Sequence, residues 1–251
     1  MVICMNPFSD LFDLKTLTFS SFEVKSRVKS SGLLVSNYLK SVPSHFMPKT
    51  FSHFSDQRRL EFVLGRLCAI EALGKMCNKG EIKPFDGEMA IGMNDDRSPS
   101  WPKGIVGSIT HSPAGVIACT AKSQEYLSLG LDLECLNRKD SLIKIKRRVF
   151  TGADHNLQKE LPKDFEETQL VGLVFSAKES LFKCLYPLSK TYFYFEDAEM
   201  VKLSYKRKSF TLRLRRNLGD TFKEGDLFEG YFSHFIKDHI LTLIPLRPRA
   251  S

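Results

Sequence analysis

Asp132 and Glu134 stand two apart in the segment LSLGLDLE, residues 127–134. Leu127, Leu129, Leu131 and Leu133 alternate there with small or acidic residues, the period-2 pattern of a half-buried strand. On such a strand both carboxylates leave the same face, opposite the leucines. Like charges this close repel and raise each other's pKa, so something positive is expected between them. Magnesium suits the pair, because it takes hard oxygen ligands and uses one or two carboxylates together with substrate phosphates. Taken alone, the pair reads first as an ordinary polar strand face with two exposed acids.

A second group lies in FSAKESLFK, residues 175–183. Lys178 and Glu179 are adjacent, and Lys183 is one helical turn beyond Glu179. Phe175, Glu179, Phe182 and Lys183 share a face separate from the leucine stripe of the same helix. Glu179 is a candidate third metal ligand, a base, or both. Lys178 and Lys183 are candidates for holding phosphate oxygens as point charges. The bland alternative is a Glu–Lys pair on a solvated face, contributing only ~0.3–0.5 kcal/mol.

Two further segments carry polar groups suited to anions. In RSPSWPKGIVGSITHS, residues 97–112, prolines and glycines give a rigid, closely approached backbone around Trp101, the chain's one tryptophan. Thr110 and His111 end a strand there, beside further hydroxyls, a favourable setting for phosphate. On the helix before it, Arg59 and Arg66 are seven apart and project from nearly the same face, with Arg58 close by. Arginine grips phosphate through two nitrogens, although such residues also serve as plain surface charge.

The elements that must position these groups follow from periodicity. A helix is expected over 56–76, capped by Ser55 or Asp56, with Leu60, Val63, Leu64, Leu67 and Ile70 as its buried stripe. Gly80, Pro84 and Gly87 then break the chain, and 94–102 reads as a turn-rich loop. Strands are expected at 105–109, 116–121 and 127–134, followed by a basic connection over 138–150. A second helix is expected over 168–186, stopped by Pro187. Strands follow near 192–195, 200–205, 210–215, 230–235 and 240–246. The order predicts an α+β fold of two similar lobes with pseudo-two-fold symmetry, each a main helix packed on a small, mostly antiparallel sheet. The seam is expected at 137, giving an N-terminal lobe over 1–137 and a C-terminal lobe over 138–251.

The 251 residues suffice for a sizeable core, and 42% hydrophobic with 26% charged residues is a globular balance. No apolar run approaches the ~18 residues that span a bilayer. The first residues lack a basic region followed by an apolar one, so cytoplasmic residence is the expectation. Cys4, Cys68, Cys77, Cys119, Cys135 and Cys184 show no metal-binding spacing and read as reduced core residues. The net charge of +8 favours polyanionic partners without choosing among them.

Together and in order, RRLEFVLGRLCAIEAL, DRSPSWPKGIVGSITHS, LGLDLE and VFSAKESLFKCLYPLSKTYFYFEDA resemble the 4′-phosphopantetheinyl transferases. The likeness is to the long, two-lobed type similar to the enterobactin synthase component D group, and it covers roughly residues 58–198. It implies magnesium-dependent transfer of the phosphopantetheine arm of coenzyme A to a serine of an acyl or peptidyl carrier protein, releasing adenosine 3′,5′-bisphosphate. It implies that Asp132, Glu134 and Glu179 hold the metal, and that Arg58 and Arg66 lie on the helix facing coenzyme A. Thr110 and His111 would hold the nucleotide 3′-phosphate, with Lys103 in the nucleotide loop as a looser match. Lys178 and Lys183 would lie near the pyrophosphate and the pantetheine phosphate, with Glu179 as the base and Lys183 assisting it. Ile70 departs from the family, many of whose members are basic there. A monomer is implied, with strand and helix brought from opposite lobes to an active site between them.

Carrier proteins are usually acidic, so Arg138, Lys139, Lys144, Lys146, Arg147 and Arg148 are expected to form part of a docking surface. The alternatives are a metal-dependent nuclease and a non-catalytic nucleic-acid binder. Leu136 occupies the position where such nucleases often place lysine. No zinc finger, base-reading basic helix or aromatic RNA-binding strand is present in the sequence.

Overall fold

The computed structural model describes residues 2–3, 7–8, 17–23, 36, 47–77, 91–113, 115–163, 165–234 and 237–248. Cys4, the break at Gly80, Pro84 and Gly87, and the end of the strand expected at 230–235 lie outside them. The chain forms two compact units, Met1–Glu125 and Tyr126–Ser251. The seam therefore falls before the Asp132 strand rather than at 137. The reason is strand pairing: that strand's antiparallel partner is the last strand of the chain.

In the first unit β1 (Val2–Ile3) and β2 (Thr18–Glu23) precede the helix α1 (Asp56–Met76). The short hairpin β3 (Gly92–Met93) and β4 (Pro99–Ser100) follows, its turn and second strand inside the segment expected to be loop. The hairpin β5 (Ile105–Ser112) and β6 (Gly115–Lys122) completes an antiparallel sheet in the order β1-β2-β6-β5. Ser55 caps α1 by accepting the Arg58 N–H at 3.3 Å. Leu60, Leu64, Cys68, Ala69 and Ile70 pack against Val116 and Ala118 of β6, burying the stripe read from the sequence. Trp101 packs on Gly107, where an added Cβ would meet the indole at 2.5 Å. That close approach explains the glycine inside a strand.

The second unit begins with β7 (Ser128–Cys135), then α2 (Lys139–Val149), a 3₁₀ helix over Gly152–Glu160, and α3 (Glu167–Ser189). A second 3₁₀ turn, Phe195–Asp197, leads into β8 (Ala198–Ser204), β9 (Ser209–Leu214), β10 (Leu227–Ser233) and β11 (His239–Leu246). The five strands form one sheet in the order β7-β11-β10-β9-β8, with all pairs antiparallel. The strand expected at 192–195 is instead irregular chain and this 3₁₀ turn. Pro187 does not stop α3, because it falls in the last turn, where the missing N–H costs one bond. The helix ends instead at Lys190 in the left-handed conformation, φ 51°. Each unit thus packs one long helix on an antiparallel sheet, the α+β architecture the patterning predicts.

α3 meets β7 through small residues four apart, Ser176, Ser180 and Cys184, while Gly172 one turn earlier packs on Leu136 and Leu142. The approach is closest at Gly130, where an added Cβ would stand 1.8 Å from the Ser180 carbonyl oxygen. β7 is consequently buried on both faces, not half-buried; only Leu127, just outside it, is exposed. No helix among the described residues is long and apolar enough to cross a membrane.

Candidate active site

Asp132 and Glu134 leave β7 on the face covered by α3, and both are buried. They are therefore not the exposed acids of a polar strand face. Burial obliges each carboxylate to find partners. Asp132 Oδ1 accepts from Lys183 Nζ at 2.7 Å, and Oδ2 accepts from Ser176 Oγ at 2.9 Å. Lys183 Nζ also donates to the Leu131 carbonyl at 3.0 Å. Glu134 is held by the Arg138 guanidinium. Behind Asp132, Ser176, Ser180 and Thr242 form a buried hydroxyl network: Oγ1 of Thr242 lies 2.9 Å from Ser176 Oγ and 2.7 Å from Ser180 Oγ. The β7–β11 register places Asp132 opposite Thr242, which fixes this arrangement.

Glu179 is half-buried beside the pair. Burial pushes its carboxyl above the ordinary glutamate range; the charges of Asp132 and Glu134 add to this, and Lys183 opposes it. Glu134 is raised as well, first by burial and then by Asp132, against the pull of Arg138. The three acids therefore share one electrostatic neighbourhood, and Asp132, Glu134, Glu179 and Lys183 all belong to the second unit. The expectation of contributions from opposite lobes is corrected on this point, because β7 is a strand of α3's own sheet.

The donor set is what a hard divalent cation requires: carboxylate oxygens whose mutual repulsion a positive charge relieves. Among the described residues no three or more His, Cys, Asp or Glu side chains are gathered in metal-holding geometry. Lys183 and Arg138 carry the compensating charge on Asp132 and Glu134. The acids thus fit magnesium by chemistry, and a bound ion would take over that charge from the two basic side chains.

Lys178 does not join the group. It is buried, and Nζ donates to Asp154 Oδ2 at 2.6 Å, the Val149 carbonyl at 2.7 Å and the Phe195 carbonyl at 2.9 Å. An ammonium has three N–H donors, so none is left for a phosphate. The phosphate role expected for Lys178 is corrected accordingly: its helical position faces the unit's interior, unlike that of Lys183.

In the first unit, Arg58 Nη1 lies 2.8 Å from His111 Nε2 and 3.4 Å from Glu61 Oε2. An arginine only donates, so His111 accepts at Nε2 and carries its proton on Nδ1, 3.7 Å from Glu61 Oε2. This partly exposed cluster was legible only in part, since Glu61 is not among the expected residues. Thr110 points the other way along β5 and is buried, so it does not share a face with His111. Arg59 donates to the carbonyls of Ser52, at 2.7 Å, and Phe51. Arg66 is buried with its guanidinium 3.8 Å from the Phe62 ring centroid and donates to the Gly92 carbonyl. The arginines that shared a face in the sequence thus brace the first unit's own chain. Lys103 is exposed beside Gly104, which takes φ 82°.

The basic stretch is also partly committed. Arg138 serves Glu134, Lys139 lies 2.6 Å from Glu166, and Lys146 pairs with Glu167. Lys144, Arg147 and Arg148 remain exposed on α2. A surface cavity of about 320 Å³ lies elsewhere in the second unit, lined among others by Lys202, Arg207, Thr211 and Glu229. None of the expected site residues lines it.

Residues 47–121 match the model of the 4′-phosphopantetheinyl transferase N-terminal domain, and residues 128–244 that of the 4′-phosphopantetheinyl transferase superfamily. The chain belongs to the 4′-phosphopantetheinyl transferase superfamily. It is similar to the 4′-phosphopantetheinyl transferase Svp of Streptomyces mobaraensis, 32% identical over 63% of this chain and 60% of that one. It is similar to the transferase Npt of Nocardia iowensis, 30% identical over 58% of this chain and 60% of Npt. Enterobactin synthase component D of Escherichia coli O157:H7 is 29% identical over 52% of this chain and 56% of its own. The matches therefore span at most 60% of these three relatives' length.

Proposed function

We propose that the chain transfers the 4′-phosphopantetheine group of coenzyme A to a serine hydroxyl of an acidic carrier protein. The observation that carries this is the gathering of buried Asp132 and Glu134 with half-buried Glu179 and Lys183 within the span matching the superfamily model. Membership supplies the reaction class, and the named relatives act as 4′-phosphopantetheinyl transferases.

Glu179 is the base in this reading. Burial and two neighbouring carboxylates make its carboxylate more basic than an ordinary glutamate, suited to taking the serine proton as the oxygen attacks phosphorus and the pyrophosphate P–O bond breaks to release adenosine 3′,5′-bisphosphate. Lys183 is the cation of α3 with solvent access, and its charge offsets the phosphate oxygens. Asp132, Glu134 and Glu179 would hold magnesium, which when bound neutralises charge on the pyrophosphate. Ser176 and Thr242 hold Asp132 in place. The Arg58–His111 pair is assigned to an anionic group of coenzyme A, with exposed Lys103 nearby in sequence. Lys144, Arg147 and Arg148 are assigned to the carrier's acidic surface, the chain acting as a cytoplasmic monomer.

The test is incubation with coenzyme A, magnesium and several apo carrier proteins, read by intact mass. A carrier gaining the phosphopantetheine increment of ~340 Da is expected. No increment on any carrier, with the chain folded, refutes the proposal.

A further inference from the structure

Lys178 precedes the base directly, yet the mechanism above gives it nothing to do. Its side chain is 2% exposed and that of Asp154 is 0%. Asp154 is itself fully used: Oδ2 also accepts the Thr151 N–H at 2.7 Å, and Oδ1 accepts the Met200 N–H at 2.7 Å. Through this pair α3 is joined to the last residue of α2, to the first turn of the 152–160 helix, to Phe195 and to β8. Ser176 ties α3 to Asp132 of β7 about 200° around the helix from Lys178. Glu179 lies between the two ties in angle.

We propose that Lys178 and Asp154 form a positioning pair that locks the rotation of α3 and so fixes Glu179 against Asp132 and Glu134, without touching substrate. The proposal rests on the transferase reading for its kinetic part and on geometry alone for the pair itself. Both side chains are buried, and each answers the other's charge at 2.6 Å. Removing either partner therefore strands a buried charge, whereas removing both does not.

The experiment is a double-mutant cycle on the full chain: Lys178→Met, Asp154→Asn and the two combined. Each single change is expected to lower the thermal midpoint by roughly 10 °C, and the double change by clearly less than their sum. Additive losses overturn the pair. With coenzyme A varied, both single variants are expected to lose ~10-fold in kcat while KM stays within about 2-fold. A KM raised ~10-fold in Lys178→Met alone would instead make the lysine a phosphate ligand and overturn the proposal. If Lys178→Met does not fold, Asp154→Asn alone decides: reduced kcat at constant KM supports positioning, and wild-type kcat ends it. A wild-type chain without transfer activity refutes the functional reading, while the midpoint cycle still decides the pair.

Discussion

The two units handle their charged groups in opposite ways. In the second, carboxylates lie under a helix and are held by lysine, arginine and hydroxyls. In the first, Arg58, Glu61 and His111 meet at the surface, with the arginine side chain 51% exposed. A buried charge is strongly coupled to its neighbours, so the second unit can tune a base. An exposed pair is screened by water and adds little to stability, so the first unit's cluster is free to serve recognition. Under the proposed function, the difference would separate residues whose loss removes chemistry from residues whose loss weakens binding.

The largest effect is expected from Gly130→Ala, which would drive a Cβ into the Ser180 carbonyl and push α3 off β7. A stability loss of about 3 kcal/mol in denaturant unfolding, with activity abolished, is the expected outcome. Near-native stability would mean that the helix is not held so closely.

Glu179→Gln is expected to abolish transfer and yet raise the thermal midpoint at neutral pH. The sign follows from linkage. A raised folded pKa means the native state binds more protons than the unfolded chain between the ordinary glutamate value and the raised one, so stability falls as pH rises through that window. The neutral amide removes that loss. A variant with full activity would remove Glu179 from the chemistry.

Asp132→Ala is expected to weaken the magnesium dependence and to leave Lys183 without its carboxylate. An unchanged magnesium titration would remove Asp132 from the metal site. The smallest effect on the fold is expected from Arg58→Ala and His111→Ala, each costing less than ~1 kcal/mol. KM for coenzyme A should rise ~10-fold while the acid limb of kcat stays where it is. A shifted acid limb would erase the distinction between the two units.

Much of this was legible in local pattern. The helix over 56–76, a cap at Ser55 or Asp56 and the strand carrying Asp132 and Glu134 follow from period and capping, properties of neighbouring residues, and the structure selects Ser55. The small residues at 176, 180 and 184 carry a further local signal: four-residue spacing of small side chains marks a face closely approached by another backbone. The partners Ser176, Thr242, Arg138 and Asp154 were not predicted, because each meets its carboxylate or ammonium through tertiary folding.

Residue types and their order were enough to determine the α+β composition, the acids and the family resemblance, since these depend only on side-chain chemistry and spacing along the chain. Tertiary structure alone decided which unit owns β7, because strand pairing joins Asp132 to Thr242 across most of the second unit's sequence. It also decided the fate of two lysines five residues apart. Burial took every donor of Lys178 into the interior, and left Lys183 on Asp132 with access to solvent.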